Sequence, residues 1–208
     1  GVTMQATKIR PERLLKDIEA LGSIGRDDDG QLTRLAATQA DKAGRDAFAR
    51  WARDAGLDVK VDRIGNMFAI WYGQHESLSE PLMIGSHIDT VVNAGMLDGC
   101  YGVLAGLEVV RTLKETGLQP QRPVVVAAFT NEEGVRFAPD MMGSAVFAGS
   151  LNLEAALAST DSEGMTLGAE LDRIGYSGPM EPGFFRPHAY VELHIEQGPV
   201  LEREGIAI

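Results

Sequence analysis

The sequence predicts an α/β fold with a mainly parallel central sheet, and two observations carry that reading. Short apolar runs alternate with longer stretches whose apolar residues recur at helical spacing. One of those runs, "PVVVAAF", is continuously apolar, as a strand covered on both faces is.

Taken in order, residues 11–21, "PERLLKDIEAL", read as a helix with proline in its first turn. From 41 to 56 a second helix puts Phe48, Trp51, Ala52 and Ala55 on one face and stops at Gly56. "LDVKVDRIGNMFAIWYG" alternates about Gly65-Asn66 and predicts a β-hairpin. "PLMIGSH" is a short strand. A helix over 102–116 then turns Val103, Leu104, Leu107, Val110 and Leu113 toward a core. Residues 123–129 form the continuously apolar strand. Shorter helices are expected at 144–150 and 166–174, before the loop "SGPMEPGFFRP" and the strand "AYVELHI". The final "EREGIAI" has the pattern of a further strand beginning, so a longer parent chain is expected.

Composition narrows the class. The 208 residues suffice for one well-filled domain, and 44% hydrophobic with 24% charged residues is an ordinary globular balance. A net charge of −11 argues against nucleic acid or an anionic membrane surface as partner. No apolar stretch reaches the ~20 residues needed to span a bilayer, and "GVTMQATKIR" offers no apolar secretory core. The single cysteine, Cys100, excludes an internal disulfide and a cysteine zinc cluster, and fits a reducing compartment such as the cytoplasm. There is no internal repeat.

In open α/β sheets, ligand sites gather beyond the carboxyl ends of the strands. Four such places carry metal-type ligands here. His87 closes "PLMIGSH", Asp98 lies in "NAGMLDGCYG", Glu132 and Glu133 follow "PVVVAAFTN", and His194 ends "AYVELH". Each has an ordinary structural alternative. His87 could be a hydrogen-bonded core histidine, Asp98 a turn residue, the two glutamates helix-terminal acids, and His194 a residue on a polar strand face. Their conjunction at one sheet edge is an N/O set suited to a divalent ion such as zinc, manganese or cobalt. Asp89 could then accept a hydrogen bond from the other ring nitrogen of His87, or cap a turn. Of the adjacent glutamates, one can bind metal while the other takes a proton from the activated water.

"GSHIDTV", "GMLDGCYGVLAGLEV", "TNEEGVRF" with "MMGSAVFAG", and "ELHIEQGPVLE" together resemble the hydantoinase/carbamoylase amidases. That family sits within the aminoacylase and carboxypeptidase clan of two-metal hydrolases. It includes N-carbamoyl-L-amino acid hydrolases, allantoate amidohydrolases and β-ureidopropionases. The resemblance runs from about the first helix to the end of the chain. It implies the three-layer sandwich of a zinc-peptidase-like catalytic domain, incomplete at its C-terminus. Residues 1–208 would be the N-terminal part of that domain, without the lid and dimerisation domain, the final catalytic segment, or one further histidine ligand.

Carried over residue by residue, the resemblance implies two divalent ions, zinc first and manganese, cobalt or nickel as alternatives. His87 and His194 would bind one ion, Glu133 the other, and Asp98 would bridge both across a cis peptide to Gly99. Glu132 would be the general base and later proton donor, Asp89 would orient His87, and Gln197 would lie near the substrate. The implied reaction is hydrolysis of an N-carbamoyl-L-amino acid by a metal-activated hydroxide, with ammonia and carbon dioxide released. Allantoate and β-ureidopropionate hydrolysis, and an aminoacylase-like peptidase, are the neighbouring activities. The implied assembly is a homodimer through the lid. An inactive binding fragment is the alternative outside the enzyme class, though a binding module has no need of a free base beside a ligand. His75 and His188 fall in no matching motif and read as surface or loop residues.

Overall fold

In the computed structural model, residues 9–95 and 97–192 are described. The first helix, α1 (Pro11–Gly22), begins at its proline as expected, and α2 (Gln39–Asp54) starts two residues early. Its start is set by Thr38, whose hydroxyl accepts the Asp41 N–H at 3.2 Å and replaces one missing helical bond. The hairpin strands are β1 (Asp58–Val61) and β2 (Met67–Trp71). Their connection is longer than a two-residue turn. Asp62 organises it by accepting the N–H groups of Ile64 and Asn66, while Gly65 takes φ +84°.

There follow β3 (Leu82–His87), α3 (Tyr101–Glu115), β4 (Val124–Phe129) and α4 (Met142–Ala148). The described part closes with α5 (Leu153–Leu157), α6 (Leu167–Ile174) and β5 (Ala189–Glu192). The sequence reading missed α5, a five-residue helix capped by the Asn152 side chain on the Ala155 N–H. So short an element leaves little periodic signal.

The strands lie in the order β1-β2-β4-β3-β5. Pairing is antiparallel at β1/β2 and β2/β4, and parallel at β3/β4 and β3/β5. Only β2 therefore runs against the others, so the sheet is mixed in its pairings yet mainly parallel in strand direction.

Side chains alternate between two cores, as the period of a strand requires. Met67, Ala69, Trp71, Ile84, Val124, Val126 and Ala128 pack beneath α1, α2 and α3. Phe68, Ile70, Met83, Val125, Ala127 and Phe129 face the other side, where Phe147 of α4 meets Phe184 and Phe185 of the loop before β5. The rings of Phe68 and Phe185 meet edge to face at 5.3 Å, the arrangement their quadrupoles favour. The second cover is thus an aromatic cluster with one helix end, thinner than the helical layer opposite. All four residues of β5 are exposed, because the described residues put no layer on this edge strand. None of the described helices is long and apolar enough to cross a membrane.

What this arrangement does for function is simple. His87 of β3 stands in register with Phe129 of β4, so the carboxyl ends of two parallel strands lie side by side.

Candidate metal centre

His87 is the last residue of β3 and is buried. The chain bends immediately after it, and its Nδ1 lies 2.8 Å from the main-chain oxygen of Asp89. The Asp89 carboxylate is farther, with Oδ1 at 3.6 Å. The carbonyl therefore holds the imidazole, which fixes Nδ1 as the protonated nitrogen of the neutral ring and leaves Nε2 turned toward Glu133. This changes the expected role of the Asp89 side chain. Its two oxygens accept the N–H groups of Glu132 and Glu133, each at 3.1 Å, and so tie the loop after β4 to the loop after β3.

Asp98 enters from the loop before α3. Its Oδ2 accepts the Val91 N–H at 3.1 Å. The expected cis peptide to Gly99 is not formed, since the cis bond among the described residues is Ala138–Pro139. Asp98 is turned inward instead by Gly99 at φ +65°, where an added Cβ would stand 2.5 Å from the Ile88 oxygen and 2.6 Å from that of Asp89. The two loops are packed backbone to backbone.

Glu132 and Glu133 leave β4 through Thr130 and Asn131. Asn131 adopts φ +55°, a conformation asparagine tolerates, and its side-chain N–H groups bond the carbonyls of Phe137 and Pro139. Glu133 then reaches His87, with Oε1 at 3.5 Å from Nε2. Donor atoms of His87, Asp98 and Glu133 all lie within 4.8 Å of one another. Glu132 stands outside this trio. Its carboxylate accepts the N–H of Ser144 at 3.0 Å and the Ser144 hydroxyl at 3.2 Å, at the first turn of α4.

The electrostatics follow from crowding acids into a buried place. Burial pushes Glu133 up to about 7, and the Asp98 carboxyl beside it adds to the rise while His87 opposes it. Burial likewise pushes Glu132 to about 7 against the two hydrogen bonds from Ser144. Asp89 rises to about 6 by burial, with His87 and the two main-chain donors working the other way. Burial disfavours charge on His87, but Asp89, Glu133 and Asp98 outweigh it and raise its pKa.

These residues fit a divalent cation. One imidazole nitrogen and two carboxylates form a borderline-hard donor set, and their spread is close to the ~4 Å that two bonds of ~2.0–2.2 Å span across one ion. The Asp98 and Glu133 carboxyls share a hydrogen bond and would repel one another with both ionised, a repulsion that a cation would relieve.

His194 and Gln197 lie outside the described residues. His75 and His188 are exposed and stand outside the donor group. Ser144 was not singled out from the sequence, although it sits inside "MMGSAVFAG". The supports beneath the site were missed as well. Asn66, fully buried, accepts the Thr130 N–H at 2.9 Å and donates to Asp62 and to the Gly143 carbonyl, steadying the exit of β4.

Residues 83–208 match the family described as peptidase family M20/M25/M40. An N-carbamoyl-L-amino-acid amidohydrolase of Rhizobium meliloti is 45% identical over 198 residues, covering 95% of this chain and 47% of that protein. An N-carbamoyl-L-amino acid amidohydrolase of Geobacillus stearothermophilus is 41% identical over 204 residues, covering 96% of this chain and 49% of the relative. A solved hydantoinase/carbamoylase family amidase from Burkholderia ambifaria superposes with a TM-score of 0.90 at 50% identity, over 97% of this chain and 49% of the other. The chain spans about half the length of the curated relatives it matches.

Proposed function

Since this chain belongs to peptidase family M20/M25/M40, we propose that it is the N-terminal part of the catalytic domain of a metal-dependent amidohydrolase. Its substrates would be N-carbamoyl-L-amino acids, cleaved at the ureido C–N bond. The observation that carries the reading is the meeting of His87, Asp98 and Glu133 donor atoms, with Glu132 next to Glu133 in the chain, its carboxylate on Ser144 and outside the donor set. The names of the Rhizobium and Geobacillus relatives supply the substrate class.

His87, Asp98 and Glu133 would hold the metal, with His194 joining them, in a site for two divalent ions of which zinc is the first choice. A divalent ion supplies Lewis acidity there, polarising the ureido carbonyl and easing deprotonation of water near pH 7. Asp89 keeps the two loops in place through the Glu132 and Glu133 N–H groups, and its carbonyl keeps His87 facing inward. A carboxylate oxygen of Glu132 takes the proton of the attacking water and later gives one to the departing nitrogen. Without a cation burial raises its pKa to about 7, and a bound cation would favour the carboxylate that accepts the proton. Ser144 holds that carboxylate by two hydrogen bonds. Gln197 would contact the substrate. The products are the amino acid, ammonia and carbon dioxide. A lid and dimerisation domain in the remainder of the protein, a homodimer and a cytoplasmic location complete the reading.

The test is metal analysis of the full-length protein, then ammonia release from a panel of N-carbamoyl-L-amino acids, allantoate and β-ureidopropionate. Metal-dependent turnover of the N-carbamoyl-L-amino acids above the others is the expected result. Preference for allantoate or β-ureidopropionate would move the substrate assignment within the family, and absence of bound metal would remove the proposal.

A further inference from the structure

Arg34 has no sequence motif to recommend it, yet it is fully buried. Among the described residues it has no carboxylate at ion-pair distance. Its guanidinium bonds four main-chain oxygens instead. Nε donates to Ile88 at 2.9 Å, one terminal nitrogen to Leu21 at 3.0 Å and Ile24 at 2.7 Å, and the other to Gly99 at 3.3 Å. Its main chain is pinned too. The Arg34 N–H donates to the Thr90 hydroxyl at 2.8 Å, and the Thr90 N–H returns a bond to the Arg34 carbonyl at 2.8 Å. Ile88 lies between His87 and Asp89, and Gly99 follows Asp98.

We propose that Arg34 is a positioning residue for the metal centre, its planar guanidinium clamping the loop of His87 and Asp89 to the loop of Asp98. The inference rests on the metal reading of those residues given above. Two features support it beyond the hydrogen bonds themselves. Gly99 leaves no room for a Cβ against the carbonyls of Ile88 and Asp89, so the loops meet at a separation that small shifts would destroy. Gly44 of α2 packs tightly too, though less so, since its Cβ would stand 3.2 Å from the Arg34 side chain and 3.1 Å from that of Ile88. Burial disfavours the charge of Arg34, and the negative charges of Asp41, Asp89 and Asp98 act to keep it. A buried cation bonded only to carbonyls is a costly way to hold two loops unless their spacing matters. A lysine in its place carries the charge without the fork that reaches all four oxygens.

The test is titration of Zn²⁺ into the metal-stripped full-length protein against a chromophoric chelator, with the melting temperature of each metal-free variant recorded. Arg34→Lys should bind Zn²⁺ ~10–100-fold more weakly than wild type, the scale for loss of a group that orients a ligand. Thr90→Val, which removes the hydroxyl that accepts the Arg34 N–H and donates to the Val91 carbonyl, should weaken binding in the same direction, and it decides the matter if Arg34→Lys does not fold. Val110→Ala, in the core beneath α3 and away from both loops, is the control for general destabilisation. Zn²⁺ affinity equal to wild type in the folded variants overturns the proposal, as does a loss that Val110→Ala matches at an equal fall in melting temperature. Wild type that binds no metal would instead remove the metal reading itself.

Discussion

The Asp89 carboxylate accepts the main-chain N–H of Glu133 at 3.1 Å, across 44 positions of sequence. One side chain thereby sets the approach of Glu133 to His87, while its own carbonyl sets the imidazole. Asp89→Asn keeps the carbonyl but turns an amide N–H group toward one of two main-chain donors. Metal affinity should fall ~10–100-fold with the fold retained. Zinc titration of the full-length variant checks this, and affinity equal to wild type would show that the carboxylate does not hold the glutamates in place.

His87→Ala removes a nitrogen donor rather than its support. The variant should lose bound metal and activity together, and metal content measured after dialysis against weak chelator is the readout. A variant that keeps the wild-type metal content would exclude His87 from the ligand set.

For Glu132→Gln the two effects should separate. The glutamine can still accept the Ser144 N–H, and the three donors of the metal group are untouched. Metal content should stay at the wild-type level while turnover falls ~10²-fold or more, the scale for loss of a general base. A metal-loaded variant with near-normal turnover would assign the proton transfers to another group.

Gly143→Ala tests the exit of β4. A Cβ at this position would stand 2.3 Å from Asn66 Oδ1 and 2.4 Å from the Thr130 nitrogen, both part of the buried network under Glu132. Overpacking of this kind costs ~1–3 kcal/mol or more. Equilibrium denaturation of the full-length variant gives the number, and unchanged stability would mean that the network yields without loss.

Asp62 carries a pH dependence remote from the metal group. It is fully buried, and burial outweighs its hydrogen bonds with Asn66 and Ile64, pushing its pKa from 3.8 up to about 7. The folded state thus holds this proton more tightly than the unfolded chain. The resulting stabilisation is complete below about pH 4 and is lost as pH rises toward about 7. Denaturation midpoints of wild type should show that decline, and Asp62→Asn, which does not titrate, should show a shallower one, since the raised carboxyls of Asp89, Glu132 and Glu133 act in the same range. Parallel curves for the two proteins would place the Asp62 pKa near its ordinary value.

Element types were legible because their signals are local. A helix over 41–56 and a strand over 123–129 follow from spacing within each segment, and both were found within two residues of their ends. The ligand types His87, Asp98 and Glu133 were legible for a related reason: each is a metal-type residue at or just beyond a predicted strand end or helix start. Asp62 in the hairpin connection was not, because an aspartate before a glycine and asparagine fits several turns of different length.

By itself, then, the sequence determined which segments are helix or strand and which chemical groups stand at their ends, since periodicity and residue type act over a few positions. The tertiary structure decided which atoms do the holding. That the Asp89 carbonyl orients His87 while its carboxylate reaches the β4 loop depends on where β4 inserts, between β2 and β3. Arg34 is the sharpest case. Its acceptors at Ile88 and Gly99 are 54 and 65 positions away. Only bringing the end of α1, with Leu21 and Ile24, together with Ile88 and Gly99 around it gives a buried arginine four carbonyls to bond.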